Sequence, residues 1–182
     1  MKTYIDCGCF IGDTINIAER YGIKEIYAFD AVPFKEWENY PNVKFEAKAV
    51  WIYDGEIDFC DLKTNGSTLI SGKDKYTNDK LIKVKCFDFS KWLERFRGYD
   101  KVVVKMDIEG AEYEVLKKVI DDKNDDIITD LTIEFHAHKI NGTRFYRVHS
   151  EMIHEKFKDK MMDMTFKGNQ FEKYMKVKND QL

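Results

Sequence analysis

The sequence predicts an α/β fold built on a doubly wound, mostly parallel sheet with a C-terminal β-hairpin. Segments typical of β-strands alternate with segments of helical spacing, which indicates βαβ units. The run KVVVKMDI at Lys101–Ile108 is almost entirely apolar, as a parallel strand buried on both faces requires. The length of 182 residues favours a single domain that spans residues 1–182.

The N-terminal half begins with a strand, a helix and a second strand. Thr3–Cys7 is the first strand, Asp13–Tyr21 has the apolar spacing of a helix that Gly22 ends, and Glu25–Asp30 is the second strand. A short helical turn is expected around Pro33–Tyr40 and an extended segment at Asn42–Trp51. Residues 52–80 are polar and turn-rich, which favours hairpin and loop rather than helix, and Leu81–Phe87 is expected to be a strand with one solvated face.

The C-terminal half continues the alternation around the apolar run. Ser90–Arg97 is expected to be a short helix with Ser90 as its N-cap. After the strand Lys101–Ile108 we expect a helix at Ala111–Ile120 and a strand at Asp130–Phe135. A longer helix is expected at Arg147–Lys160. The last expected element is a hairpin of Met164–Phe166 and Phe171–Val177, turned at Gly168–Asn169.

Charge and hydropathy exclude several classes of protein. Lys and Arg number 30 against 33 Asp and Glu, a net charge of −3, which argues against a generally basic nucleic-acid binder. No apolar run approaches the roughly 18 residues that a membrane span needs. The N-terminus also lacks the apolar core of a secretory signal, so a cytoplasmic location is expected. Oligomer formation is left open.

The loop between the first strand and the first helix has the features of a ligand-binding turn. Gly8 and Gly12 permit a sharp turn and close approach of a ligand to the backbone. The dinucleotide motif G-x-G-x-x-G is absent, because Phe10 and Asp13 stand where glycines are needed. Asp6 at the strand end suits an ammonium group, and an acidic side chain such as Asp30, ending the next strand, can accept hydrogen bonds from both hydroxyls of a ribose.

A second group of polar side chains follows the central strands. Asp107, Glu109 and Glu112 cluster where the apolar strand ends and a helix starts, and helix capping accounts for Glu112. Glu134 and His136 lie two residues apart on a strand and therefore share a face. His136 is either a satisfied rim histidine or a functional one. Asp107, Glu134 and His136 could hold a divalent cation, but metal-free chemistry is preferred, and no metal is predicted.

With these motifs, the sequence resembles the FkbM family of S-adenosylmethionine-dependent methyltransferases. Residues 4–14 (YIDCGCFIGDT) are similar to the family loop D-x-G-A-x-x-G-x-T, with Cys9 in the alanine position. Residues 26–30 (IYAFD) are similar to a strand ending in F-E-P, with Asp30 in place of glutamate. Residues 105–112 (KMDIEGAE) match K-x-D-x-E-G-A-E. The resemblance covers roughly residues 3–138.

The resemblance implies a Rossmann-like fold of the class I methyltransferase type and transfer of a methyl group from S-adenosyl-L-methionine to oxygen. The acceptor would be a sugar, another glycan or a similar small hydroxylated molecule. The implied cofactor-binding residues are those of the first loop, the ribose ligand Asp30 and two residues beside adenine: Asp6, Gly8, Cys9, Phe10, Gly12, Thr14, Asp30, Ala49 and Val50. Asp107 would lie between cofactor and acceptor, and the candidate bases are His136 first, then Asp107 or Glu109.

Three other functions stay open at this stage. A non-catalytic subunit with a methyltransferase fold would keep the cofactor pocket without turnover. A nicotinamide-dependent oxidoreductase also uses an acid in the position of Asp30, although the missing glycine motif argues against it. A nucleic-acid methyltransferase would need a phosphate-binding surface, and the sequence gives no strong signal for one.

Overall fold

The structure is a computed structural model that describes residues 1–33, 37, 40–61, 81–136 and 143–164, with the side chains of residues 143–148 left aside. Its strands are β1 (Lys2–Cys7), β2 (Glu25–Asp30), β3 (Val43–Ala47), β4 (Ala49–Trp51), β5 (Gly55–Cys60), β6 (Leu81–Asp88), β7 (Lys101–Met106), β8 (Asp130–Ile133) and β9 (Met161–Asp163). Its helices are α1 (Asp13–Arg20), α2 (Phe89–Leu93), α3 (Glu112–Asp121) and α4 (Thr143–Phe157), with a 3₁₀ turn at Glu94–Phe96.

The main sheet has the strand order β3-β2-β1-β7-β8-β9, and all its pairs are parallel. The chain winds outward from β1 through β2 to β3, then returns to β7 and winds outward in the other direction. The order therefore reverses between β1 and β7, which pair with Ile5 opposite Val104. This is the doubly wound α/β fold that the sequence predicts.

The two faces of the sheet carry separate apolar clusters because side chains alternate along each strand. On one face Tyr4 and Val103 pack in a cluster with Ile15 and Ala18 of α1. On the other face Ile5 and Val104 belong to a larger cluster that holds residues of α2, α3 and α4, among them Leu93, Leu116 and Phe157. Helices thus cover both faces, which explains why β1 and β7 are buried at every position after the first.

A second, smaller sheet corrects the prediction for the middle of the chain. Asn42–Trp51 was expected to be one extended strand, but it forms two, and only β3 belongs to the main sheet. β4 pairs in parallel with β6, Val50 opposite Phe87, and β5 pairs with β6 in antiparallel fashion. The break falls at Lys48, whose backbone N–H donates to the carbonyl of Glu46. Periodicity alone does not reveal that break, because both pieces are extended.

Several element ends differ from their predicted positions. Asp88, not Ser90, caps α2 by accepting a hydrogen bond from the backbone N–H of Lys91 (3.1 Å), because β6 runs directly into the helix and places its last carboxylate over the first turn. Helix α4 begins at Thr143 and ends at Phe157, several residues earlier than predicted. Helix α1 ends one residue early, and β7 ends at Met106.

The C-terminal region adds a strand that the sequence did not reveal. β9 is a parallel edge strand beside β8, with Leu131 opposite Met161. The predicted hairpin lies, from residue 165 onward, outside the described residues, as does most of the helical turn predicted at Pro33–Tyr40. Within the described part of the chain, no helix is both long and apolar enough to cross a membrane.

Candidate active site

The predicted site residues surround the point where the strand order reverses. The segment after β1 leads to α1 on one face of the sheet, and the segment after β7 leads to α3 on the other face. A crevice opens between such diverging connections at the carboxyl ends of the strands. We call residues 8–12 the glycine loop and residues 107–110 the acidic loop. These two loops form the two sides of the candidate site.

The glycine loop is a tight turn anchored to the end of β2. The backbone N–H groups of Gly8 and Cys9 donate to the carbonyl of Phe29 at 2.9 and 3.1 Å, and that of Gly12 donates to the carbonyl of Cys9 at 2.7 Å. Gly8, Phe10 and Gly12 all have positive φ, of 78°, 43° and 79°. Such angles favour glycine, and the loop keeps them because its hydrogen bonds fix the turn.

Gly8 also brings the two loops into direct contact. A Cβ atom at this position would lie 1.9 Å from the carbonyl oxygen of Asp107, far inside any van der Waals separation. The backbone N–H of Asp107 in turn donates to the carbonyl of Cys7 at 3.0 Å. The predicted cofactor loop and the predicted catalytic loop are therefore packed backbone against backbone.

Lys105, a residue without a predicted role, connects the two loops through charge. Its Nζ donates to the carbonyl of Gly8 (2.7 Å) and lies 3.4 Å from both the Asp6 Oδ1 and the Asp107 Oδ2. Burial would lower the pKa of Lys105, but the carboxylates of Asp6 and Asp107 outweigh burial and raise it. The signal that could have identified Lys105 is a lysine inside an otherwise apolar central strand.

Asp6 does not occupy the position that the sequence predicts for it. Its side chain is fully buried beneath the glycine loop rather than facing the cleft. Oδ2 accepts a hydrogen bond from the Thr14 hydroxyl (2.5 Å), and Oδ1 faces Lys105. A buried carboxylate is costly unless it is paired. Asp6 and Thr14 therefore fasten β1 to the first turn of α1 and fix the loop above them.

Asp30 ends β2 beside the glycine loop, as predicted. Each of its two carboxylate oxygens accepts a hydrogen bond from a backbone N–H group. Oδ2 accepts from the N–H of Phe10 (3.0 Å), and Oδ1 accepts from the N–H of Val32 (3.2 Å). Burial raises the pKa of Asp30 despite these two N–H groups, which lower it. A carboxylate has about four lone-pair positions, so each oxygen can accept one further hydrogen bond from a ligand hydroxyl.

The other predicted cofactor residues differ in how close they lie to the cleft. Cys9 is buried in the α1 cluster, and burial followed by the charge of Asp6 raises the pKa of its thiol, which keeps it protonated. Ala49 belongs to a small apolar cluster against which Ala31, Val32 and Ile108 pack while partly exposed. Val50 instead lies in the main core with Phe29 and Phe87. Partly exposed apolar side chains thus lie near the end of β2, where Asp30 stands. Two of them, Val32 and Ile108, are not among the residues predicted to contact the cofactor.

The acidic loop is folded around the carboxylate of Glu112. This fully buried side chain accepts hydrogen bonds from the backbone N–H groups of Ile108 (3.0 Å) and Gly110 (3.0 and 3.1 Å). Both donors precede α3, whose N-cap Ala111 makes no side-chain cap hydrogen bond, so Glu112 closes the loop instead of capping the helix as expected. Glu109 and Gly110 have positive φ, of 61° and 115°. The loop therefore keeps an unfavourable backbone conformation at Glu109, stabilised by the carboxylate beneath it.

Four carboxylates lie within 4 Å of the ring nitrogens of His136, and two of them belong to the acidic loop. The side chain of His136 is buried, and Nδ1 lies 3.0 Å from the Glu112 Oε1, so an ionised Glu112 accepts a hydrogen bond from it. On the opposite side of the ring, Nε2 lies 3.8 Å from Asp107 Oδ1, 3.7 Å from Glu109 Oε1 and 3.7 Å from Glu134 Oε1. Burial lowers the pKa of His136, but Glu112 first, then Asp107 and Glu134, raise it above its usual value.

We call Asp107, Glu109, Glu134 and His136 the acid–histidine cluster. All three predicted catalytic residues, Asp107, Glu109 and His136, belong to it, and their candidate ligand atoms lie within 4.8 Å of one another. Glu134, Asp107 and His136 are the residues predicted as a possible cation site, and the structure adds Glu109. The Asp107 side chain is 27% exposed and that of Glu134 is 42% exposed, so one side of the cluster is open to solvent.

A comparison with protein-family models now identifies the family. The model described as the methyltransferase FkbM domain matches residues 6–171 of the 182-residue chain. The match includes both loops, the end of β1 and all of β7. Comparisons with curated proteins and with solved structures gave no significant match. The chain belongs to the FkbM methyltransferase family.

Proposed function

We propose that this member of the FkbM methyltransferase family binds S-adenosyl-L-methionine and transfers its methyl group to a hydroxyl oxygen of a sugar or another small hydroxylated acceptor. The observation that carries the proposal is the contact between the two loops, where the α-carbon of Gly8 packs against the carbonyl of Asp107. This contact brings a turn suited to a nucleoside next to a cluster suited to a hydroxyl proton.

The residues around the glycine loop fit this cofactor chemically. Asp30 keeps acceptor capacity for two ribose hydroxyls, and the partly exposed side chains of Ala31, Val32 and Ile108 offer an apolar contact for a purine. Gly8–Gly12 would bind the methionine part through backbone groups, with Asp6 and Thr14 holding the loop from below. The cofactor supplies an electrophilic methyl group on a sulfonium, and the chain supplies its position.

The acid–histidine cluster provides acceptors for the proton that the hydroxyl group releases. The Glu112 carboxylate fixes the proton of His136 on Nδ1 and leaves Nε2 directed toward Asp107 and Glu109. A base placed within hydrogen-bond reach of the acceptor hydroxyl contributes about 10²–10⁴-fold to a rate. Holding the hydroxyl oxygen in line with the methyl group supplies much of the remaining acceleration.

Binding and labelling experiments test the cofactor assignment. Calorimetry with S-adenosylmethionine, S-adenosylhomocysteine and NADH should show binding of the two sulfur nucleosides and none of NADH. Methyl-labelled S-adenosylmethionine, incubated with panels of sugars and other hydroxylated molecules, should then label an acceptor at oxygen. Tight NADH binding would support the oxidoreductase alternative, and cofactor binding without any labelled product would support the non-catalytic subunit.

Replacement of the cluster histidine tests the second half of the proposal. His136→Ala should lower turnover about a hundredfold or more, because the transfer step loses its best-placed basic group. The dissociation constant for S-adenosylmethionine should stay within about threefold, since His136 lies on the acidic-loop side. His154→Ala, at a half-exposed histidine on α4 facing Asp163, is the matched control and should retain full turnover. Equal turnover of both variants would remove His136 from the reaction.

A further inference from the structure

We propose that Asp107, Glu109 and His136 bind a divalent cation of the Mg²⁺ or Mn²⁺ type. The role that we give the ion below, binding the acceptor next to the methyl donor, rests on the proposed function. The cation site itself does not, because it follows from the side chains of the acid–histidine cluster.

The donor atoms stand at distances that one ion can bridge. Metal–oxygen and metal–nitrogen bonds of about 2.0–2.2 Å place neighbouring ligand atoms about 3 Å apart and opposite ones about 4 Å apart. In the cluster, His136 Nε2 lies 3.8 Å from Asp107 Oδ1 and 3.7 Å from Glu109 Oε1, and the three candidate ligand atoms lie within 4.8 Å of one another. Small side-chain rotations would therefore close the three around a cation.

The orientation of His136 is the strongest single argument. A histidine that ligates a metal with one ring nitrogen nearly always donates its other N–H to a carboxylate or carbonyl, which fixes the tautomer and aims the lone pair. Here the partner is Glu112, fully buried, 3.0 Å from Nδ1 and itself held by the backbone N–H groups of Ile108 and Gly110. The hydrogen bond to Glu112 therefore fixes the orientation of the imidazole ring, and Nε2 faces the carboxylates of the acidic loop.

The charge around Nε2 also favours a cation. Asp107, Glu109 and Glu134 each place an oxygen within 4 Å of Nε2. The nearby Lys105 is shared between Asp6, Asp107 and the carbonyl of Gly8, so it offsets only part of this charge. Carboxylates with one imidazole are ligands that Mn²⁺ accepts, and carboxylate oxygens suit Mg²⁺ as well.

Such an ion would restrict the acceptor to molecules with two neighbouring oxygens. The solvent-facing side of the cluster, formed by Asp107 and Glu134, leaves coordination positions open toward the cleft. An acceptor with adjacent hydroxyl groups, as in a sugar diol, could occupy two of them. With the ion bound, His136 Nε2 would be a ligand rather than the base. The ion would make the bound hydroxyl more acidic, and Glu134, the more exposed of these two carboxylates, would accept the released proton in place of His136.

Binding of Mn²⁺, measured without S-adenosylmethionine, tests the site independently of methyl transfer. Electron paramagnetic resonance or calorimetry on the whole chain should show one Mn²⁺ per molecule, displaced by excess Mg²⁺. Asp107→Asn and Glu109→Gln should each weaken Mn²⁺ binding about tenfold or more. Glu155→Gln changes an exposed carboxylate of α4 in the same way and should leave Mn²⁺ affinity unchanged. Circular dichroism of each variant confirms that it is folded.

Three outcomes would overturn the cation site: no Mn²⁺ binding at millimolar concentration, equal affinity in all the variants, or several equivalent ions per chain. In those cases the cluster is a network of hydrogen bonds and ion pairs around His136 that holds no metal ion. If Mn²⁺ binds as expected, chelation with EDTA should abolish methyl transfer and added Mn²⁺ should restore it. Transfer that persists in EDTA would overturn the role in acceptor binding, while loss of S-adenosylmethionine binding would count against the proposed function alone.

Discussion

The glycine loop and the acidic loop are built on the same plan but have opposite chemistry. Each follows a central parallel strand, contains residues of positive φ and leads into a helix. In the glycine loop the backbone N–H groups bond to carbonyl oxygens and to Asp30, and the buried Asp6 is offset by Lys105. In the acidic loop the N–H groups of Ile108 and Gly110 bond to Glu112, which also fixes His136.

The comparison shows that the group satisfying the amides of a strand–loop–helix turn determines which side chains gather beside the turn. In the glycine loop, where carbonyls and Asp30 satisfy the amides, the proposed ligand is the cationic methyl donor. Where they are satisfied by a buried carboxylate, that carboxylate also aims a histidine, and the remaining acids gather around it. Under the proposed function, two connections of similar shape would therefore serve a nucleoside on one side and a proton or a cation on the other.

The largest expected effect comes from separating the two loops. Gly8→Ala should lower the free energy of unfolding by about 3–4 kcal/mol, because the new Cβ collides with the Asp107 carbonyl and the residue has positive φ. Gly22→Ala is the matched control: its φ of 77° is nearly the same, but no atom lies within 4 Å of the added Cβ. That variant should lose only about 1 kcal/mol. Urea denaturation measures both.

Equal losses of unfolding free energy in these two variants would show that the loops can move apart around the new Cβ without loss of stability. The glycine loop and the acidic loop would then be independent, and the argument that they form one site would fail.

The next effect tests the carboxylate that organises the acidic loop. Glu112→Gln should lower the free energy of unfolding by about 2–3 kcal/mol, since an amide supplies one oxygen where the carboxylate accepts three charge-assisted hydrogen bonds. Urea denaturation against Glu155→Gln, an exposed glutamate on α4 that should change stability by less than about 0.5 kcal/mol, gives the comparison. A loss as small as that of the control would mean that backbone geometry alone holds the loop.

The smallest effect belongs to the glycine-loop side. Asp30→Ala should weaken S-adenosylmethionine binding by about 1–3 kcal/mol, because the ribose hydroxyls lose their acceptors. Glu46→Ala, at a half-exposed acid near the end of β3 paired with Lys48, is the control and should bind normally in calorimetry. Unchanged affinity in Asp30→Ala would place the ribose elsewhere.

The pH dependence of binding sharpens the same test. Burial raises the pKa of Asp30 above its ordinary 3.8, so the carboxylate becomes protonated at less acidic pH than an exposed aspartate does. The ionised form accepts the ribose hydroxyls better, and S-adenosylmethionine affinity should therefore be full above that pKa and fall as pH falls through it. Asp30→Asn should lose this dependence over the same pH range, as measured by calorimetry.

Local pattern predicts much of this fold because each piece carries its own signal. The two periodicities identify β1, α1, β2, β7 and α3 to within about two residues, and the motif at residues 105–112 indicates the family. The pattern fails where neighbours decide the structure. The segment at residues 42–51 divides between two sheets, and Asp88 displaces Ser90 as the cap of α2.

The sequence by itself determined the doubly wound architecture, the family and the residues that end the central strands, because hydrophobic spacing and glycine positions act over a few residues. The tertiary structure decided what those residues do. It buried Asp6 against Lys105, 99 positions away in the chain, and set Glu112 behind His136. Burial and the pairing of charges distant in the chain depend on how strands align side by side, and no local pattern encodes that alignment.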